Sequence, residues 1–415
     1  MAAPRPRRRA GAEAAERALP GPRRRPPDGG RFATRGQPAA VAAMERMLRA
    51  GAPHALLLVG PPSVGKTTLA FDLAAGLLCQ AGDPDARPCG ACRSCRLVDA
   101  GAHQDLHLLA PAGPGQQVRI GDAVDPDPGT VRHLIRELAR VPVEGPRRVA
   151  IVESAHRLTE DAQNALLKSL EEPPPGATII LCADAPEQLL PTVRSRAAVL
   201  RLGPVGVRTM EELLAGRGVE PPRSARLARL AEGRPGLAIA LAGAPEAVAA
   251  REELARAILD LAGLTPAERL AAGRDLLARA GDIGRLGGLP GPAAGGVPDP
   301  TEPEGGASDG DAAAGASRTP PAERRRAAAA LLATWTAVAR DLAVVATGSV
   351  GAVRDPALLD DLGAVAAIVP PGGPAAFLGR LARAAELLDR NANPELLVDV
   401  LALAWPGPPA AGASR

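Results

Sequence analysis

The sequence predicts an α/β fold followed by an all-helical region: a parallel sheet with crossover helices, then helices alone. Three observations carry that expectation. Short apolar runs alternate with helical-period segments as far as residue 204, the pattern that crossover connections between parallel strands require. After Pro204 the strand signal stops and only helical periodicity continues. Aromatic residues make up 1 % of the chain, with no Tyr, although 46 % is hydrophobic. Cores must then be built from Leu, Val, Ile and Ala, which suits helices packed on helices or on a parallel sheet. At 415 residues the chain is long enough for two or three domains.

Residues 1–30 are dominated by Pro, Gly and Arg and read as a disordered basic N-terminus. Arg5, Arg7, Arg8, Arg9, Arg23, Arg24 and Arg25 crowd there; the head is either a solvated tail or a contact for an anionic partner such as DNA. Residues 37–49 have helical period, and ALLLV at 55–59 is a short apolar run that predicts a buried strand. A helix is expected from Thr68 to Leu78, then a cysteine-bearing loop over roughly 79–100. An amphipathic helix over 130–140, a strand over 148–152, a helix over 159–172 and a strand over 178–183 complete this part. Residues 207–245 give three short helical pieces split by Gly and Pro, and 246–282 stay helical. Residues 286–321 form a low-complexity, mildly acidic linker. Helical pattern resumes at Glu323 and runs, with breaks, to about Trp405.

The net charge of +3 is weak support for nucleic-acid binding, and the scarcity of aromatics argues against a protein that stacks bases. No uninterrupted run of 18 apolar residues is present, so no membrane span is expected. Four of the five cysteines are clustered, which fits metal binding in a reducing cytoplasm better than disulfides.

The strongest motif is GPPSVGKT, residues 60–67, placed after a strand and before a helix. Gly60 and Gly65 let the backbone curl so that its N–H groups face phosphate. Lys66 reaches for the β and γ phosphates, and Thr67 offers its hydroxyl to magnesium, with Thr68 beside it. The helix N-terminus adds a favourable dipole. The residues expected to hold ATP with Mg2+ are thus Gly60, Gly65, Lys66, Thr67 and Thr68. Lys66 and Lys168 are the only lysines of the chain, which makes a lysine inside this pattern harder to ascribe to chance.

Cys79, Cys89, Cys92 and Cys95 have the spacing C-x9-C-x2-C-x2-C. Four thiolates suit a closed tetrahedral zinc site with a structural role; the alternative is four unpaired thiols. His103 and His107 lie nearby as competing ligands but are expected to stand aside. Cys182, in an expected strand, reads as ordinary core.

A working P-loop ATPase carries acids at the end of another strand, one for magnesium and one to polarise the attacking water. Here that strand reads RVAIVES, with Glu153 and Ser154 in those places. Glu153 remains a candidate for magnesium, through water, whereas Ser154 cannot act as a carboxylate base. His156 is expected to be a structural polar residue.

Several segments now converge: RGQ at 35–37, GPPSVGKTT, the four cysteines, ESAHRLTEDAQNALLKSLEEPP at 153–174 and PEQLLPTVRSR at 186–196. Together they resemble the clamp-loader subunits of bacterial DNA polymerase III, an AAA+ P-loop family. The resemblance implies an AAA+ domain over 31–204 with a zinc module at 79–100. It further implies a helical lid over 205–250 and a helical collar over 251–285 and 322–406. It makes Arg196, in Ser195-Arg196-Ala197, an arginine finger that enters the ATP site of the next subunit in the ring. Ala197 stands where the family has Cys.

Within the family, three features favour the delta-prime branch over the tau/gamma motors. The acidic pair is degraded. The motors' sensing arginine follows a Gly-Ser pair, and the matching position here is Gly236, with Arg234 two residues early. The segment RNANPELLVDVLALA at 390–404 resembles the closing helix of that branch. The resemblance implies loading of a sliding clamp on primed DNA, with delta and tau/gamma subunits as partners, in the cytoplasm and without a membrane. Apolar faces such as LLATWTAVARDLAVV (331–345) are expected to be buried between neighbouring subunits. The chain's own ATP hydrolysis is expected to be weak or absent. Three rivals stay open: a tau/gamma-like motor that hydrolyses ATP itself, a stand-alone P-loop nucleotide enzyme, and a scaffold for which Arg196 is dispensable.

Overall fold

The computed structural model describes residues 31–112, 117–287 and 321–408. The expected basic tail over 1–30, and residues 288–320 of the expected linker, lie outside them. The chain divides into two compact units at Thr209/Met210.

The first unit opens with α1 (Pro38–Ala50), β1 (Ala55–Val59) and α2 (Lys66–Leu78). Then come α3 (Arg93–Asp99), β2 (Leu106–Leu109), α4 (Val131–Leu138), β3 (Arg148–Val152) and α5 (Glu160–Glu171). β4 (Ala177–Ala183), α6 (Pro191–Arg194) and β5 (Ala198–Arg201) complete it. The five strands form one sheet in the order β2-β3-β4-β1-β5, and every pairing is parallel. The three central strands are buried along their whole length because helices cover both faces. Alternate residues serve opposite layers. Leu56, Leu58, Val149, Ile151 and Ile180 pack with α1 and α2, while Leu57, Val59, Val152, Ile179 and Leu181 pack with α4, α5 and α6.

The expected strands at 55–59 and 148–152 are β1 and β3. β2 and β5 carried no recognisable signal, for a physical reason: they are the sheet edges, with only Leu109 buried in the first and no residue buried in the second. A strand covered on one side needs no continuous apolar run. The helix expected from Thr68 begins at Lys66, because Gly65 turns the chain with φ +107° and serves as its N-cap.

The second unit is helical. α7 (Val207–Ala215), α8 (Pro221–Leu230) and α9 (Pro235–Gly243) are the three expected short pieces. α10 (Pro245–Asp260), α11 (Pro266–Gly287), α12 (Pro321–Ala346), α13 (Leu359–Ala366), α14 (Gly373–Asp389) and α15 (Pro394–Ala404) follow. The lid boundary drawn at residue 250 falls inside α10, a continuous helix of 16 residues. Arg226 on α8 pairs with Glu252 on α10 at 2.6 Å and with Asp355 at 2.9 Å, so these segments are bound together by charge.

The segment LLATWTAVARDLAVV corrects an expectation. Leu331, Leu332, Trp335, Val338, Ala339 and Leu342 are buried in the core of their own unit instead of between subunits. α12 packs against α10, α11, α13, α14 and α15. Its stretch Glu323–Ala346 is long and apolar enough to cross a membrane by composition, yet 56 % of the most apolar window is buried inside the unit. Both tryptophans gather here with one phenylalanine. Trp335 lies 5.9 Å from Phe377 and from Trp405, and Phe377 meets Trp405 edge-on at 5.0 Å. Among the residues that stay exposed, Leu396, Val400 and Leu403 form a stripe on α15, spaced for one helix face.

Candidate functional site

Residues 60–67 join the end of β1 to the start of α2, at the carboxyl edge of the sheet where open α/β sheets bind ligands. Gly60 donates its N–H to the carbonyl of Ala183 at the end of β4, 3.3 Å away. A side chain at Gly60 would stand 2.4 Å from the carbonyl oxygen of Leu202, so only glycine fits that crossing. Leu202 is held in turn by its N–H bond to Val59 at 2.8 Å. Gln37 of the RGQ segment explains the rest of this clamp: its side-chain amide donates to the Gly203 carbonyl at 2.5 Å and accepts from the Gly203 N–H at 3.4 Å. Asp72 on α2 fixes the same entering segment by accepting from Thr34 N at 2.8 Å and from the Thr34 hydroxyl at 2.6 Å.

Lys66 is buried, 6 % exposed. Its ammonium donates to the carbonyls of Gly60 at 2.8 Å and Pro61 at 2.6 Å, and pairs with Asp184 Oδ1 at 2.5 Å. Thr67 and Thr68 are half-buried in the first turn of α2. The Thr67 hydroxyl hydrogen-bonds the thiol of Cys182, and Glu153, Lys66 and Asp184 all act on that thiol electrostatically. Cys182 is thus the floor beneath the loop, and burial pushes its thiol up to about 12, so it stays a neutral core group. The fold therefore gathers Gly60, Gly65, Lys66, Thr67, Thr68 and Glu153 at one edge of the sheet.

Glu153 is half-buried just past β3, with its N–H bonded to Leu109 O at 2.8 Å. Ser154 follows in the left-handed region at φ +49°. His156 is 6 % exposed, and its Nδ1 accepts the backbone N–H of Asp184 at 3.2 Å. Burial is the main cause that lowers its pKa, against the opposing pull of Asp184. Asp184 was missed in the sequence. The signal for it was available: an acid directly after an apolar strand, at the strand end that faces the P-loop in a parallel sheet.

Arg196 lies elsewhere, on the turn after α6, with 35 % of its side chain exposed. It pairs with Glu171 at the end of α5 at 2.5 Å and donates to the Thr192 carbonyl at 3.0 Å. Arg234, in the second unit, bonds the Ala231 carbonyl at 3.1 Å.

The four cysteines meet. The sulfurs of Cys79, Cys89, Cys92 and Cys95 all lie within 4.8 Å of one another, with Cys79 and Cys92 at 4.0 Å. Tetrahedral zinc with bonds of about 2.3 Å would set sulfurs about 3.8 Å apart, so the donor set fits that ion. Backbone N–H groups of Cys89, Cys92 and Cys95 point at the sulfurs of Cys79, Cys89 and Cys92, each at 3.4 Å. The donor at Cys92 is the largest cause that lowers the Cys89 thiol to about 6, whereas burial raises Cys79 and Cys95. His103 and His107 belong to another cluster: His103 Nδ1 accepts from Asp105 N at 3.1 Å, and His107 faces Arg148 at 3.1 Å.

Residues 36–206 match the family model described as DNA polymerase III, delta subunit. The DNA polymerase III subunit delta' of Pseudomonas aeruginosa PAO1 is 36 % identical over 195 residues, covering 43 % of this chain and 57 % of the relative. That of Escherichia coli K12 is 40 % identical over 191 residues, covering 45 % of this chain and 54 % of the relative. The DNA polymerase III subunit gamma/tau of Mycobacterium tuberculosis H37Rv is 39 % identical over 164 residues, covering 39 % of this chain and 26 % of the relative. The chain spans about half the length of the delta' relatives it matches. Over residues 36–206 the chain is similar to the DNA polymerase III delta' subunits.

Proposed function

We propose that the chain is a delta-prime-type AAA+ subunit of a clamp loader, and that Arg196 completes the ATP site of an adjoining subunit. One observation carries this reading: the Arg196 guanidinium sits on a surface turn, tethered to the exposed carboxylate of Glu171. An exposed pair of that kind contributes only about 0–1 kcal/mol, so the arginine is free to exchange one anion for another. Brought against a bound ATP, it would neutralise charge developing on the transferred phosphoryl group.

The chain's own P-loop is read as a nucleotide site that turns over poorly. Lys66 would contact phosphate and Thr67 would hold magnesium, with Glu153 acting through water. Magnesium held by these residues would supply positive charge to offset that of the phosphates. No carboxylate occupies position 154 to polarise an attacking water. Zinc, held by Cys79, Cys89, Cys92 and Cys95, would pin the loop after α2 to the core, a structural role with no open ligand position.

The partners expected are delta-type and tau/gamma-type subunits, with the sliding clamp and primed DNA reached through the assembly in the cytoplasm. The C-terminal helices would form a collar, with Leu396, Val400 and Leu403 as the unburied apolar contact. The basic head, the linker and the lid-to-collar division at residue 250 belong to the same proposal.

The test is reconstitution with delta-type and tau/gamma-type subunits, reading ATP turnover with and without this chain. Turnover that needs the chain, and is lost with Arg196→Ala, supports the reading. The second reading, an ATP-hydrolysing motor, draws on the 39 % identity to gamma/tau. Strong turnover by the isolated chain, abolished by Lys66→Ala, would establish that reading instead.

A further inference from the structure

The P-loop lysine has an internal counter-ion. Lys66 Nζ and Asp184 Oδ1 are 2.5 Å apart, with 6 % and 25 % of the two side chains exposed. Asp184 follows Ala183, whose carbonyl accepts the Gly60 N–H at 3.3 Å, so the β4 terminus and the mouth of the P-loop are tied together by backbone. The carboxylate therefore approaches Lys66 from the open edge of the sheet, the side from which a phosphate must come. In this motif the lysine serves the β and γ phosphates. Two of the three ammonium donors go to the carbonyls of Gly60 and Pro61, so carboxylate and phosphate compete for the third, and a carboxylate left beside the triphosphate would repel it.

A second position for the carboxylate is built in. His156 Nδ1 accepts the Asp184 N–H at 3.2 Å, which leaves the proton of the neutral ring on Nε2. His156 Nε2 is buried without a hydrogen-bond partner, and it faces Asp184 Oδ2 at 4.0 Å. A buried donor of this kind is costly unless an acceptor reaches it. A small rotation of the Asp184 carboxylate would satisfy it and release Lys66.

We infer that Asp184 competes with nucleotide phosphate for Lys66 and sets the affinity of this P-loop, and that His156 Nε2–H receives the carboxylate when phosphate displaces it. The inference rests on the reading of residues 60–67 as a nucleotide site. Asp184 acts here as an affinity-determining residue, distinct from the missing base at Ser154.

The experiment is calorimetric titration of the full chain with MgATP and, separately, with AMP, for wild type, Asp184→Asn and Lys66→Ala. Asparagine keeps the shape of the side chain and removes its charge; Asp184→Ala and thermal unfolding of each variant exclude misfolding as the cause. The expected result is MgATP binding tightened about tenfold or more by Asp184→Asn and by Asp184→Ala, a change of about 1.4 kcal/mol. AMP binding should stay unchanged, since AMP lacks the phosphates that Lys66 serves. Equal or weaker MgATP binding by both Asp184 variants, with wild-type binding abolished by Lys66→Ala, would overturn the inference and leave the nucleotide site standing. No MgATP binding by wild type or by either Asp184 variant would bring down the site and the inference together.

Discussion

Lys66 and Arg196 are the two cations on which nucleotide chemistry would turn, and the fold treats them in opposite ways. Lys66 is buried, and three oxygens of its own chain already surround its ammonium. Arg196 stands on a surface turn, bonded to one half-exposed carboxylate and to the Thr192 carbonyl. The first charge is committed inside the molecule. The second is held loosely enough to be offered to another molecule. A P-loop can thus be complete in its geometry while its lysine is occupied, and a site elsewhere can be open although it looks paired.

The result that would break this contrast most decisively is kinetic. In a reconstituted assembly, Arg196→Ala should lower turnover at the adjoining ATP site by about 10³-fold or more. The urea unfolding free energy of the chain itself should change by less than about 1 kcal/mol. Turnover that survives would return Arg196 to the class of ordinary surface charges.

A second large effect concerns the thiolates. Cys95→Ser should take bound zinc from about one ion per chain to none, read by metal analysis of the purified protein, and should lower the thermal midpoint. Unchanged zinc content would exclude Cys95 as a ligand. Next in size is the stability contribution of Lys66. Lys66→Met should remove the ammonium from Asp184 and from the Gly60 and Pro61 carbonyls and cost about 1–3 kcal/mol in urea unfolding. That is several times the cost expected for Arg196→Ala, and equal costs would erase the contrast between the two cations.

The smallest effect uses another internally committed cation. Arg148, buried at 4 % exposure, bonds His107 Nε2 at 3.1 Å. Burial first, and then the Arg148 charge, lower the His107 pKa below its usual 6.5. A histidine so shifted contributes stability that is present above the unfolded value and is lost as pH falls below it. The unfolding midpoint should therefore drop on acidification through about pH 6, and His107→Gln should shrink that drop. A midpoint that rises with acid would contradict the shift.

How much of this was legible in the sequence varies with the physics of each part. Central strands β1 and β3 could be read because burial on both faces demands unbroken apolar runs, as in ALLLV and RVAIV. Edge strands β2 and β5 could not, since one covered face leaves no such run. The P-loop and the cysteine spacing were readable because each is local: backbone curl and ligand spacing are written within a few residues. Asp184 was not, because its role comes from lying opposite Lys66 across the sheet edge.

The sequence by itself determined the alternation of strand and helix, the P-loop, the four clustered thiols and the serine at 154. Only the tertiary structure decided what those groups face. It turned the α12 segment into the core of its own unit, left Leu396, Val400 and Leu403 outside, gave Lys66 a carboxylate and left Arg196 at the surface. Local pattern specifies which element forms. Charge pairing and burial depend on contacts between residues far apart in the chain, and those exist only once the elements have packed.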